Sequence, residues 1–279
     1  METKKIKVED IIALKGIRKL TMLTAYDYPL ASLIDQSGVD MILVGDSLAN
    51  VVLGLDSTTE VGMSEMLHHA KAVTRGVKRA FVIGDMPYES YQVNPQESAV
   101  NARRFIKEAA CDAVKLEWFD SCLEATRAII ESGIPTMGHI GLTPQTAAKS
   151  GGFKVRGKDA EAASRLIEEA VALQEAGCFS IVLECVPDKI SEIITGKLKI
   201  PVIGIGAGVG CDGQVLVTYD LLGLYPRHTP KFVKKYTDLT ARIQEALAKY
   251  KQEVESGIFP DAAHSFTIKQ EELDKIKLT

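Results

Sequence analysis

Apolar runs along this chain repeatedly close on a side chain able to do chemistry: Val39–Asp46, Ala80–Asp85, Ala113–Glu117, Pro135–His139 and Phe179–Glu184. In a parallel barrel the carboxyl ends of all strands emerge on one face, so these ends would gather acids, a lysine and a histidine into one pocket. Asp46, Asp85 and Glu117 are hard oxygen donors from different strands. Such a set suits Mg²⁺, which takes near-octahedral oxygen coordination and leaves positions open for substrate. Taken singly, each acid is better explained as a cap on the helix that follows its strand, and the three together weaken that explanation. Lys115 and Glu117 lie two apart, so both point to one strand face while Val114 and Leu116 point to the other. A lysine facing a barrel interior needs an anion, either a neighbouring carboxylate in a structural pair or the carboxylate of a substrate. Glu184 ends the apolar run SIVLE alone, which makes it a candidate general base. Ser47 and His139 complete the ring as hydrogen-bond donors, the alternative for either being a satisfied polar residue of the core.

These side chains need elements to hold them. Strand patterns fall at Leu20–Ala25, Met41–Val44, Phe81–Gly84, Ala113–Leu116, Thr136–Gly138, Ile181–Leu183 and Val202–Ile205. Val215–Thr218 is the expected eighth, although DGQVLVTYDLL has a periodicity equally compatible with a helix. Helical patterns at Pro29–Gln36, Glu60–Arg75, Pro95–Ala110, Ser121–Ser132, Lys158–Ala176 and Asp188–Thr195 alternate with them, Asn94 capping the helix that starts at Pro95. Val8–Lys19 is expected to cap the barrel floor, and Asp238–Ser256 to form a last amphipathic helix. The alternation, with no Pro/Ser-rich linker, favours one (β/α)8 barrel over residues 1–266 against an open doubly wound sheet. Residues 267–279 read as a charged tail.

Composition narrows the function. The 279 residues are 46% hydrophobic and 25% charged, enough for a sizeable core, and the net charge of -4 gives no electrostatic footprint for nucleic acid or an anionic membrane. Cys111, Cys122, Cys178, Cys185 and Cys211 are odd in number and lack a CxxC pair, so we read them as reduced, mostly buried thiols. No run approaches the roughly 18 apolar residues of a membrane span, and no apolar region follows Met1–Asp10. A cytoplasmic protein is expected. His68 and His69, adjacent on a helix, cannot face one ligand position and read as structural. The glycine-rich Gly204–Gln214 is either a phosphate site after the seventh strand or close packing at the barrel mouth. Ser150–Gly152 reads as a flexible loop, and Lys154, Arg156 and Lys158 as a solvated face.

The motifs MLTAYDYP, ILVGDS, DSTTEV, MGHIGLTPQ, GGFKVRG, VLECVP, PVIGIGAGVGCDGQVLV, DLLGL and PKFVKKY, in this order, resemble the ketopantoate hydroxymethyltransferase family from about Thr3 to Phe266. The resemblance implies a (β/α)8 TIM barrel of the phosphoenolpyruvate/isocitrate-lyase-like group, Mg²⁺, and a homodecamer of two pentameric rings. It implies hydroxymethyl transfer from 5,10-methylenetetrahydrofolate to 2-oxoisovalerate, the first committed step of pantothenate and coenzyme A synthesis. By the same resemblance Asp46 and Asp85 are metal ligands, with Glu117 near the metal through water. Asp46, Ser47, Asp85, Lys115 and His139 contact substrate, and Glu184 is the proton acceptor. After Glu117 the pattern departs from the family: Trp118 and Phe119 stand in place of common glycines. Lys231, Lys234 and Lys235 are candidates to attract the glutamate tail of folate, a solvated surface being the alternative. Two rivals remain, a Mg²⁺-dependent C–C lyase or phosphomutase on the same barrel, and a binding protein built on a retired barrel.

Overall fold

Eight parallel strands close on themselves in sequence order, β1 (Leu20–Thr24), β2 (Met41–Val44), β3 (Phe81–Asp85), β4 (Ala113–Glu117), β5 (Thr136–Gly141), β6 (Ser180–Glu184), β7 (Val202–Ile205) and β8 (Gly213–Leu216), with β8 pairing back onto β1. The computed structural model describes residues 4–147, 154–225 and 229–276; the loop expected at Ser150–Gly152 lies outside them. Eleven α-helices are present among the described residues. They are α1 (Val8–Ala13), α2 (Tyr28–Gln36), α3 (Leu48–Val51), α4 (Met63–Gly76), α5 (Pro95–Ala109), α6 (Cys122–Glu131), α7 (Ala160–Glu175), α8 (Asp188–Lys197), α9 (Thr218–Leu221), α10 (Leu239–Glu255) and α11 (Gln270–Leu273).

Strand parity builds two separate apolar layers. Met22, Met41, Leu43, Phe81, Ile83, Ala113, Met137, Val182, Ile203 and Val215 point inward and fill the barrel, with Phe81 and Phe179 edge to face at 5.5 Å. Alternate residues such as Ile42, Val82, Val114 and Ile181 point outward and are covered by the helices. Thr24, Asp85, Lys115, Glu117, His139 and Glu184 follow the inward apolar positions at the carboxyl ends. The interior is therefore a packed apolar column with a polar lid of side chains, which is where a barrel of this kind carries its chemistry.

Helix ends follow local chemistry. Asp27, Asn94 and Asp159 each accept a backbone N–H of the first turn, at 2.8 Å in all three cases. The expected floor helix Val8–Lys19 is shorter than its pattern and ends at Ala13. Beyond it Lys15 turns to Asp212 at 2.6 Å, and Arg18 grips Asp40 with two bonds of 2.7 and 2.8 Å. Ile11 still reaches the inner layer and closes the floor.

The eighth strand begins at Gly213, two residues before the expected start. A side chain there would lie 2.7 Å from both Ile203 Cδ1 and Leu20 O, so the closure between β7 and β1 admits only glycine. The chain from β7 to β8 carries no helix. Its glycines serve close packing, Gly206 at φ +62° lying under the Phe232 ring. All five cysteines are free thiols, four of them buried. No helix among the described residues is long and apolar enough to cross a membrane.

Candidate active site

Sheet register pairs the chemistry before any side chain moves. Asp85 lies beside Lys115 and Glu117 beside His139 on neighbouring strands. Lys115 Nζ accordingly sits 2.7 Å from Asp85 Oδ1, and His139 Nδ1 lies 3.4 Å from Glu117 Oε1. The far imidazole nitrogen, Nε2, approaches Glu184 Oε2 at 3.2 Å from β6. Asp46 and Ser47 come from the turn between β2 and α3. The Asp46 N–H donates to Asp85 Oδ2 at 3.2 Å, and Ser47 Oγ is 2.8 Å from Tyr26 Oη. Asp46, Ser47, Asp85, Lys115, Glu117, His139 and Glu184 thus line one cavity of about 620 Å³. The structure brings together every residue that the sequence singled out for the pocket.

At the strand ends Asp46, Asp85, Glu117 and Glu184 outnumber Lys115 and His139, leaving negative charge unbalanced there when all four acids are ionised. Burial raises the Asp85 carboxyl, held back by Lys115 and pushed further by Asp46 and Glu117. Burial raises Glu117 as well, against His139 and Lys115. Burial and Lys115 favour loss of the His139 proton, but the carboxylates of Glu117 and Glu184 outweigh them and carry it up to about 9. His139 thus lies between the acid on β4 and the acid on β6, with Lys115 Nζ also 3.3 Å from its Nδ1.

A divalent cation fits this excess. Asp85 Oδ1 is buried and takes no aligned hydrogen bond, although Lys115 is close. Among the described residues no three His, Cys, Asp or Glu side chains converge as a ready-made metal cage. The donor set suits an ion on Asp46 and Asp85 that keeps its remaining positions for water and substrate. Glu117 meanwhile accepts the Gln145 N–H at 3.0 Å.

Three supporting residues escaped sequence reasoning. The Gln145 side chain donates to Asp46 Oδ2 at 2.9 Å and to Met86 O at 3.1 Å, and accepts from the Tyr91 hydroxyl. Tyr91 is fixed in turn by the Phe119 ring at 5.4 Å, so a residue of the loop after β4 supports the site from behind. Tyr26, third in this group, holds Ser47. The family motif GLTPQ contains Gln145, but a glutamine in a loop carries no periodic signal. His69 is structural as expected, its Nδ1 lying 2.7 Å from Tyr26 O. Lys154, read as part of a solvated face, lines the cavity instead. Cys185 follows Glu184 at φ +50°, and burial together with the Glu184 charge pushes its thiol up to about 11. It stays protonated and is no nucleophile.

A family model described as ketopantoate hydroxymethyltransferase matches residues 5–262. The chain belongs to the ketopantoate hydroxymethyltransferase family. It is 58% identical over 272 residues to the 3-methyl-2-oxobutanoate hydroxymethyltransferase of Syntrophobacter fumaroxidans, covering 98% of this chain and 96% of that one. The enzyme of the same name from Enterococcus faecalis is 52% identical over 92% of this chain and 94% of its own. Family membership makes the chain an enzyme, a hydroxymethyltransferase. Among solved structures, 2,3-dimethylmalate lyase, a PEP mutase/isocitrate lyase superfamily member, superposes with a TM-score of 0.62 at 15% identity, over 98% of this chain and 95% of that one. At that identity the likeness concerns the barrel alone and assigns no lyase activity.

Proposed function

We propose that this site transfers a hydroxymethyl group from 5,10-methylenetetrahydrofolate to C3 of 2-oxoisovalerate, giving ketopantoate for pantothenate and coenzyme A synthesis. The observation that carries the reading is the convergence on one cavity of Asp46, of Asp85 at 2.7 Å from Lys115, and of Glu184 at 3.2 Å from His139, with carboxylates outnumbering cations. Mg²⁺ held by Asp46 and Asp85 would supply a Lewis acid for the keto and carboxylate oxygens of the 2-oxo acid.

The chain's own residues do the rest. Lys115 and Ser47 orient the substrate carboxylate, Ser47 being fixed by Tyr26. Glu184 removes the C3 proton, and His139, its Nε2 3.2 Å away, keeps that carboxylate oriented. The C3 electron pair then bonds to the methylene carbon of the donor's iminium, whose π electrons move to the folate nitrogen. Water replaces that nitrogen on the new CH₂ group, and the nitrogen leaves with a proton. Lys115 stays protonated throughout, because three carboxylates surround it and outweigh the effect of burial.

The resemblance also leads us to propose a cytoplasmic homodecamer. In support, α10 has no buried residue and exposes Ile243, Leu247, Tyr250 and Val254 along one side. The catalytic reading is tested by incubating the protein with 2-oxoisovalerate and methylenetetrahydrofolate. Ketopantoate should form with Mg²⁺ and stop in excess chelator. A folded, Mg²⁺-supplied protein that makes none refutes the proposal.

A further inference from the structure

The 620 Å³ cavity has to hold the 2-oxo acid and the reacting ring of the donor together. That volume is within the range of about 300–1,000 Å³ that one drug-sized ligand occupies. A reduced folate also carries a benzamide arm ending in glutamate carboxylates, and this arm needs space of its own.

A second cavity of about 750 Å³ adjoins the first. Val155, Cys185, Lys231 and Phe232 line both, so the boundary between them runs past the residue that follows Glu184. Cys185, the residue after Glu184, is shared by the two walls, so an arm leaving a reacting carbon at Glu184 would meet the second space next. Its wall is largely apolar, with Val186, Pro187 and Val209 beside the Phe232 ring, as an aromatic arm requires.

The charged and polar groups on that wall narrow the choice further. Asp188 Oδ1 is engaged with the Lys189 N–H at 2.8 Å, and Gln214 donates to Gly208 O at 2.9 Å. Among the described residues Lys231 is the one cation lining this cavity, and none of them engages it in a hydrogen bond or ion pair. The three lysines read from the sequence as one cluster separate here. Lys234 lies over the Tyr236 ring at 4.8 Å, and the charge of Lys235 acts on Asp220.

We propose that the second cavity seats the p-aminobenzoyl-glutamate arm of the folate donor, with Lys231 meeting its carboxylates. This rests on the proposed donor. The test must therefore separate failure of the arm site from failure of the reaction. Deuterium exchange at C3 of 2-oxoisovalerate needs no folate and reports the reaction site. The KM for the donor reports the arm site.

Lys231→Met should raise the KM for methylenetetrahydrofolate roughly tenfold, the size of one charge-assisted contact, with kcat and C3 exchange unchanged. Val209→Trp, at an exposed position on the cavity rim, should raise the same KM by narrowing the space. With methylenetetrahydropteroate, which lacks the glutamate, wild type and Lys231→Met should share one KM. Unchanged donor KM values in both variants overturn the arm site while intact exchange spares the reaction. A Lys231→Met penalty that persists with the pteroate donor overturns the role of Lys231 in reading the glutamate. A wild-type protein with no exchange overturns the arm site and the reaction together.

Discussion

Replacing Gln145 with leucine, a side chain of similar size, removes three buried hydrogen bonds behind the active site without opening a large void. The backbone bond from Gln145 N–H to Glu117 remains, so Glu117 keeps its place. Asp46 Oδ2 loses a donor at 2.9 Å, Met86 O loses one at 3.1 Å, and the Tyr91 hydroxyl loses its acceptor. An unsatisfied buried polar group costs about 1–3 kcal/mol, more when charged, so two stranded side chains amount to about 2–6 kcal/mol. We expect urea denaturation in chelator to show a loss near the lower end of that range. Mg²⁺ affinity by titration calorimetry should fall roughly 10- to 100-fold, as for other residues that orient metal-binding carboxylates. Gln145→Glu should be worse than leucine for stability at pH 8, because it sets a carboxylate against Asp46. Wild-type unfolding together with wild-type Mg²⁺ affinity in Gln145→Leu would refute the idea that this amide orients Asp46.

Glu184→Gln should lower turnover by roughly 10²–10⁴-fold while Mg²⁺ affinity is kept, and an equal loss of metal binding would contradict a base role. Mg²⁺ at 100 times its Kd should add about 2.7 kcal/mol of stability, read as a rise in Tm over the protein in chelator. Asp46→Asn should abolish that rise, and a retained response would remove Asp46 from the donor set. On α7, burial raises the Glu169 carboxyl from 4.5 to about 7, against Arg165. Because the folded pKa is the higher one, the stabilisation by the protonated form is complete below about 4.5 and is lost as pH rises through about 7. Glu169→Gln should thus be more stable than wild type by about 1–2 kcal/mol at pH 8, after discounting for its partial exposure, and nearly equal at pH 4.5. Parallel pH profiles of Tm for the two proteins would contradict this.

The inward polar ends of the strands were legible because parity is strict. A residue two positions beyond an inward apolar side chain must also point inward, and Lys115 follows Ala113 in this way. Asp46 was legible for a different reason, as an acid just past an apolar strand. What escaped the sequence lies in loops, where no period operates. Gln145 reaches Asp46 across 99 positions, and the Tyr91 ring is placed by Phe119 from another loop. The start of β8 was misplaced because hydrophobicity favours Val215–Thr218, while closure of the barrel is decided by the missing side chain of Gly213. Val8–Lys19 kept its helical spacing in sequence, but the chain turns at Gly16, φ +73°, and Lys15 and Arg18 pair with Asp212 and Asp40. The long α10 was expected to be amphipathic, and none of its residues is buried among the described residues.

The measurement that tests the central claim most directly is proton NMR of 2-oxoisovalerate in D₂O with the protein, with Mg²⁺ and without folate. The account predicts Mg²⁺-dependent loss of the C3 proton and collapse of the methyl doublet to a singlet, both abolished by Glu184→Gln. A folded protein supplied with Mg²⁺ that leaves the C3 proton in place would contradict it, as would exchange that Glu184→Gln does not slow.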